Sequence, residues 1–357
     1  MKKVGLLMKE AALENRSSKP YHEEDIGKTT VHPQYRVDLR KYSEKEYNKF
    51  VRVNTVSDWS MLSWQDIGKP FEVKKYAKER EEWEKTHEKA MDPHTSWTYF
   101  NRAFHEWFMK DVPLEKDRTK QEFLSSLRSF QPSEVSHALG NLVQLHLWNY
   151  VHRIQDGIWD PRGKRALFQG LLVHRPRILF LGAAEGYEAM QLGAMYPGAE
   201  IVMVDYDEYC KTTRFAEFPE SYPFLGHNPK TGQDKIIYKD DLNIEYVVDD
   251  IRNLPYGKEF DIVLSVGLLE HFPDEYKQEA VDWHRRFLKD NGYAVLTTPR
   301  NQLRSRLYYH VMADVMNHTY RELMTVEQMG LYMYENGFDI LGHGYIKVHN
   351  GLICRPR

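Results

Sequence analysis

From about residue 175 onward, the apolar residues of this 357-residue chain fall into short runs separated by stretches of helical periodicity. Five runs, at 178–181, 201–204, 244–248, 262–266 and 293–297, have the length and branched-residue content of buried strands. Helical patterns occupy much of the space between them, notably 187–195 and 276–288. Such alternation predicts parallel strands joined by crossover helices. At the end of the chain, 338–348 and 352–354 flank Asn350-Gly351, a pair suited to a tight hairpin turn. The predicted fold is a doubly wound α/β domain: a mainly parallel seven-stranded sheet with an antiparallel C-terminal hairpin.

The first 174 residues are patterned differently. Residues 1 to about 120 are polar and aromatic without strand alternation, and 69–89 reads as a charged, solvated helix. Ser133 opens an apolar helical repeat that is expected to run to about residue 155. Asp156-Gly157 and Asp160-Pro161-Arg162-Gly163 then break the chain, and a short helix at 166–172 leads to a boundary at Arg175-Pro176. Two regions are therefore expected: a largely helical 1–174 that acts as a substrate-recognising lid, and 175–357. The segment 221–241 lengthens one connection and is expected to be a second lid element or a surface insertion.

Charge and composition narrow the function. Lys plus Arg total 49 against 52 Asp plus Glu, for a formal charge of -3, so no broad positive field is available for nucleic acid. No run of about 18 apolar residues suggests a membrane span, and the basic start is too short in apolar residues for a signal peptide. The two cysteines, Cys210 and Cys354, build no disulfide framework and fit a cytoplasmic setting. Sixteen histidines show no metal-ligand spacing, so no metal site is expected.

The first apolar run leads into Leu181-Gly182-Ala183-Ala184-Glu185-Gly186, where small residues let a ligand approach the backbone. The second run ends at Asp205, about twenty residues on, where such a fold places an acid for ribose hydroxyls; Asp207 is the competing position. Val248-Asp249-Asp250-Ile251-Arg252-Asn253-Leu254-Pro255 and Phe260-Asp261-Ile262-Val263-Leu264-Ser265, followed by Leu269-Glu270-His271, complete the series. Together these motifs resemble the class I S-adenosylmethionine-dependent methyltransferases over roughly 175–357. The resemblance implies a Rossmann-like domain that binds S-adenosylmethionine through Gly182, Ala184, Glu185, Gly186, Asp205, Asp250, Ile251 and Ser265, with Asp250 facing the adenine amino group. Two positions depart from the family. Ala184 stands where its middle glycine is usual, and Phe180 stands where an acid often precedes the motif, which leaves Glu185 as a substitute partner for the cofactor's amino group. A nicotinamide site would want G-x-G-x-x-G, which is absent here.

Methyl transfer from a sulfonium is an in-line displacement, so much of the catalysis comes from positioning. A base is needed only when the acceptor must lose a proton, and His271 is the candidate. Trp97, Tyr99, Arg102 and Trp107, from the densest aromatic cluster, are the candidate substrate contacts. The expected reaction is methylation of a small polar metabolite by a chain that can form a homo-oligomer. The alternatives are a catalytically silent cofactor-binding scaffold and an aminopropyltransferase on the same fold.

Overall fold

The computed structural model describes residues 39, 51–52, 56–109, 112–129, 131–143, 167–168, 171–227, 233–346 and 348–357. Twelve strands are named in chain order: β1 Val51–Arg52, β2 Phe71–Glu72, β3 Arg177–Leu181, β4 Glu200–Asp205, β5 Phe224–His227, β6 Asp234–Ile237, β7 Asn243–Val248, β8 Phe260–Val266, β9 Leu288–Pro299, β10 Glu322–Leu323, β11 Phe338–Ile346 and β12 His349–Pro356. The helices used below are α1 Lys78–His87, α2 Pro93–Phe108, α3 Val112–Ser129, α4 Tyr187–Met195, α5 Asp274–Phe287, α6 Leu303–Val311, α7 Ala313–Met316 and α8 Val326–Glu335.

The main sheet runs β1-β11-β12-β9-β8-β3-β4-β7. All five predicted strands are present, as β3, β4, β7, β8 and β9, and every pairing among them is parallel. Strand β12 is antiparallel to both β9 and β11, which makes the expected C-terminal hairpin. Its reversal falls earlier than predicted. Ile346 pairs with His349, whereas Asn350 and Gly351 lie inside β12, opposite Thr298 and Thr297. Two flanking strands can satisfy a segment's backbone groups more fully than a turn can, and the ladder overrides the local turn preference here. The short β1 adds an eighth strand, antiparallel to β11.

Both faces of the sheet are covered, which is why its strands read as continuous apolar runs. Ile178, Phe180, Ile201, Met203, Ile262 and Leu264 belong to one core cluster, which also takes in Phe104, Trp107 and Phe108 of α2. Leu179, Leu181, Val202, Val204 and Val263 belong to the other, packed with Val281 and Phe287 of α5 and Met329 and Met333 of α8. The N-terminal half thus contributes to the sheet's own core.

Helix α2 starts sharply. Asp92 caps it by accepting from the Thr95 backbone N–H at 2.9 Å, and Pro93 fills the first turn. The segment before it is tied to the C-terminal half through β2–β10 pairing and through bonds from Val73 N to Arg321 O (2.9 Å) and Ala77 N to Asn317 O (3.1 Å). The expected helix at 69–89 is shorter than predicted, since only α1 is helical and residues 71–72 pair as a strand. Of the helix expected to run to residue 155, 132–143 is helical and the remainder lies outside the described residues.

The segment 221–241 is ordered over its described part. Strands β5 and β6 pair antiparallel, and Tyr222 and Phe224 pack with Phe218 on Tyr187 of α4. Its described residues buttress that helix and are not among those lining the cavity described next. Among the described residues, no helix is long and apolar enough to cross a membrane.

Candidate active site

A cavity of about 620 Å³ lies beyond the carboxyl ends of β3, β4 and β8, where open α/β sheets place their ligands. Helix α2 closes it from the other side with Trp97, Phe100, Asn101 and Phe104. The β3–α4 turn holds three successive alternate residues in the left-handed region, Gly182 (φ 68°), Ala184 (φ 49°) and Gly186 (φ 79°). The middle one carries a side chain in a conformation that disfavours it. Three bonds hold it there: Ala184 N–H donates to Asp205 Oδ2 (3.0 Å), Ala183 N–H to the Val204 carbonyl (2.9 Å), and the Tyr246 hydroxyl to the Ala184 carbonyl (2.7 Å).

Asp205 and Asp207 have different surroundings. Asp205 lines the cavity, and its carboxylate accepts from the backbone N–H groups of Ala184 and Asp207. Burial raises its pKa; those two N–H groups and Arg214 oppose the rise. Asp207 lies off the cavity, where it caps Tyr209 N (3.1 Å) and accepts from Asn101 Nδ2 (3.1 Å).

Asp250 and Ile251 line the cavity beside Asp205. The Asp250 carboxylate is engaged by Arg252, with Nη2 to Oδ2 at 2.6 Å and Nε to Oδ1 at 3.0 Å, and that pairing holds it below the usual carboxylate range. Gly182, Ala184 and Glu185 also face the space, whereas Gly186 and Ser265 do not. Gly186 sits at φ 79°, which favours glycine, and a Cβ there would come within 2.3 Å of Met203 Sδ, so that side chain would have to shift. Ser265 is buried under the sheet edge, 2.9 Å from His284 Nε2.

Glu185 is ion-paired to Arg214, whose Nη1 donates to Asn101 Oδ1 at 2.9 Å. Asn101 in turn reaches Asp207, so a buried polar chain ties α2 to the β3–α4 and β4 turns. Neither Arg214 nor Asn101 stands out in the sequence; their partners lie 29 to 113 positions away.

His271 lines the cavity from the turn after β8. Its Nδ1 lies 2.7 Å from the Tyr320 carbonyl, which can only accept, so Nδ1 carries the proton and Nε2 keeps its lone pair. Thr319 Oγ1 is 2.8 Å from the same Nδ1. Nε2 has Glu270 Oε1 at 3.7 Å, beyond hydrogen-bond length. Burial, with Arg321 nearby, holds the imidazole well below its ordinary pKa, so it is neutral at neutral pH.

The four aromatic-cluster candidates separate. Trp97 lines the cavity. Tyr99 faces His318, and Arg102 stacks over Tyr209 with its ring centroid 4.8 Å away; neither lines the cavity. Trp107 is 3% exposed and packs on Phe104 in the core, which corrects its placement in a lid. Helical spacing puts Trp97, Phe100, Phe104 and Trp107 on a shared stripe, and that stripe reaches the open space only as far as Phe104. Phe100, Phe104, Glu270, Tyr309 and Arg321 line the cavity without having been singled out as contacts.

The strand order, with a cavity at the carboxyl ends of β3, β4 and β8, is that of the class I S-adenosylmethionine-dependent methyltransferases. A family model described as a methyltransferase domain matches residues 150–343, more than half of the chain, and the chain belongs to that family. Its cofactor is S-adenosylmethionine, and the acid-bearing, glycine-floored cavity has donors and acceptors suited to that molecule. No curated protein matches the chain by sequence. Among solved structures, 1,6-didemethyltoxoflavin-N1-methyltransferase of Burkholderia thailandensis, with its substrate and S-adenosylhomocysteine bound, is 13% identical. That match covers 62% of this chain and 89% of the other, with a TM-score of 0.40. Human N-acetylserotonin methyltransferase with S-adenosylmethionine is 14% identical over 57% of this chain and 56% of its own, also at 0.40. With identities this low and TM-scores below 0.5, the assignment stands on the family match and the strand order.

Proposed function

We propose that this enzyme methylates a small metabolite held between α2 and the strand ends, with His271 as the base that receives the acceptor's proton. The observation that carries this reading is the state of His271: neutral, its Nδ1 committed to Tyr320, and its Nε2 unbonded on the wall of the same cavity that Asp205 lines. S-adenosylmethionine supplies the electrophilic methyl group. Asp205 accepts from the ribose hydroxyls, Asp250 and Ile251 hold the adenine end, and Gly182 and Ala184 provide close backbone approach. Glu185 takes the amino group in place of the acid that Phe180 replaces. Trp97 and Phe100 bear on the body of the acceptor and exclude water from it.

A small acceptor is favoured because the cavity is walled on one side by α2 and lined by aromatic rings, and the chain offers no positive field for nucleic acid. The region up to residue 174 supplies the covering wall, and 175–357 supplies the cofactor site. Both cysteines are buried and unpaired, which suits a cytoplasmic setting. The test is release of S-adenosylhomocysteine against a panel of hydroxy- and amino-bearing metabolites, with His271→Asn beside the wild type. A base role lowers kcat by about 10² to 10⁴ and leaves S-adenosylmethionine affinity within about threefold. Unchanged turnover in the variant would exclude the role.

A further inference from the structure

Among the described residues four arginines line the cavity, and three are satisfied by close carboxylates. Arg80 bonds Glu84 at 3.0 Å, Arg252 bonds Asp250 at 2.6 Å, and Arg214 is paired with Glu185. Arg321 is the exception. It is 3% exposed, with its guanidinium over the Tyr309 ring at 4.6 Å and near Phe100 at 5.6 Å. Nη2 donates to the Met316 carbonyl at 3.0 Å, and the Tyr309 hydroxyl lies within its reach. Among the described residues its nearest carboxylate, Glu270 Oε1, is 3.5 Å from Nη1, and Nε, like that of Arg214, has no acceptor.

Glu270 is equally unsatisfied. It is fully buried, lines the same cavity, and its Oε2 has no hydrogen-bond partner. The other charged groups about it are already committed. Lys277 donates to Glu322 Oε2 at 2.7 Å and to the Phe272 carbonyl, and Tyr320 donates to Glu322 Oε1 at 2.5 Å. His271 offers only a lone pair on this side. A buried donor and a buried acceptor left open side by side cost stability unless something fills them. A ligand that presents two oxygens and shares a proton would satisfy both.

We infer that Arg321 and Glu270 form a recognition subsite for a carboxyl group, so that the methyl acceptor is a small carboxylic acid with an apolar or aromatic body. The ligand's carboxylate accepts from Arg321 Nε, and Glu270, protonated on Oε2, donates to it. Binding a carboxylate therefore takes up a proton from solvent wherever Glu270 was ionised before. The burial that raises the Glu270 carboxyl to about 7 makes that uptake accessible near neutrality, with Arg321 and Lys277 opposing the rise and Glu322 adding to it. Phe100 and Tyr309 flank the guanidinium, so the acid's apolar body lies against rings.

This inference rests on the small-molecule reading above, and the experiment separates the two. The full chain saturated with S-adenosylhomocysteine is titrated with 4-hydroxybenzoate and with its neutral isostere 4-hydroxybenzamide, by calorimetry between pH 6 and pH 8. The acid is expected to bind about tenfold or more tightly than the amide, and its affinity should fall as pH rises. Arg321→Lys should lose about tenfold for the acid with the amide unaffected. Glu270→Gln, which still donates from its amide, should keep the acid but lose the pH dependence. Thermal melts confirm that each variant is folded, and the wild-type comparison stands without them. Equal binding of acid and amide, no acid binding at millimolar concentration, or an Arg321→Lys enzyme that binds the acid like the wild type would each overturn the subsite. Failure of S-adenosylhomocysteine itself to bind would strike the cofactor reading instead.

Discussion

The Trp97 indole stands edge-on to the His271 imidazole, their ring centroids 4.5 Å apart at an interplanar angle of 61°. One ring comes from α2 and the other from the turn after β8, so the contact joins the helix along the cavity to the candidate base. Edge-on aromatic contacts of this kind contribute about 0.5 to 1.5 kcal/mol beyond the area they bury. Trp97→Ala is therefore expected to free the imidazole and raise the acceptor's KM or lower kcat, with little loss of stability. Trp107→Ala, from the core, should instead cost about 3 to 5 kcal/mol. Melting curves run beside kinetics check both, and parallel early melting of the two variants would remove the distinction.

Asp205→Asn and Asp207→Asn should also differ. The first alters a carboxylate on the cavity, and S-adenosylmethionine binding is expected to weaken about tenfold or more. The second disturbs Asn101 and the cap of Tyr209 N, so it should lower the melting temperature with a smaller effect on cofactor affinity. Calorimetric titration of both folded variants decides which acid meets the ribose.

The β3–α4 turn gives two further outcomes. Gly186→Ala forces a Cβ toward Met203 at φ 79°, so a loss of about 1 to 3 kcal/mol in stability is expected. Gly182→Val meets only Leu268 Cδ1, at 3.3 Å, but projects at the cavity and should weaken the cofactor most. Ala184→Gly relieves a left-handed Cβ that costs about 1 to 2 kcal/mol, which outweighs the roughly 0.4 to 1 kcal/mol lost through the freer unfolded chain. A small rise in stability should follow, read by chemical denaturation; a fall would mean that the Ala184 methyl makes packing contacts worth more than its strain.

The buried Glu270 sets a pH dependence. Its folded-state pKa is raised by burial from 4.5 to about 7, so its stabilising proton is fully bound below the unfolded value and is lost as pH rises through 7. Across that window wild-type stability should decline by about 3 kcal/mol relative to Glu270→Gln, which lacks the titration. His271 works in the opposite sense. Its pKa is depressed, so protonation of the unfolded chain withdraws stability as pH falls below about 6.5. Denaturation of wild type and Glu270→Gln from pH 5 to pH 8 measures the difference; curves that stay parallel would remove Glu270 as its source.

Strand and helix alternation was readable from the sequence because both faces of a parallel sheet are covered, which turns each strand into an unbroken apolar run such as Leu179, Phe180 and Leu181. The end of each run also marks the ligand edge, so Gly182, Asp205, Asp250 and His271 could be placed at the cavity without coordinates. Local periodicity could not decide where along α2 the cavity ends and the core begins, because Trp97 and Trp107 occupy one amphipathic stripe and only docking on the sheet separates them. Nor could turn chemistry hold Asn350-Gly351 at a reversal once β9 and β11 offered it a ladder on both sides. The Glu185–Arg214–Asn101 chain and the Arg321–Glu270 pair belong wholly to the tertiary structure. Their members lie 29 to 113 positions apart, and contacts at such separations leave no periodic trace in the chain.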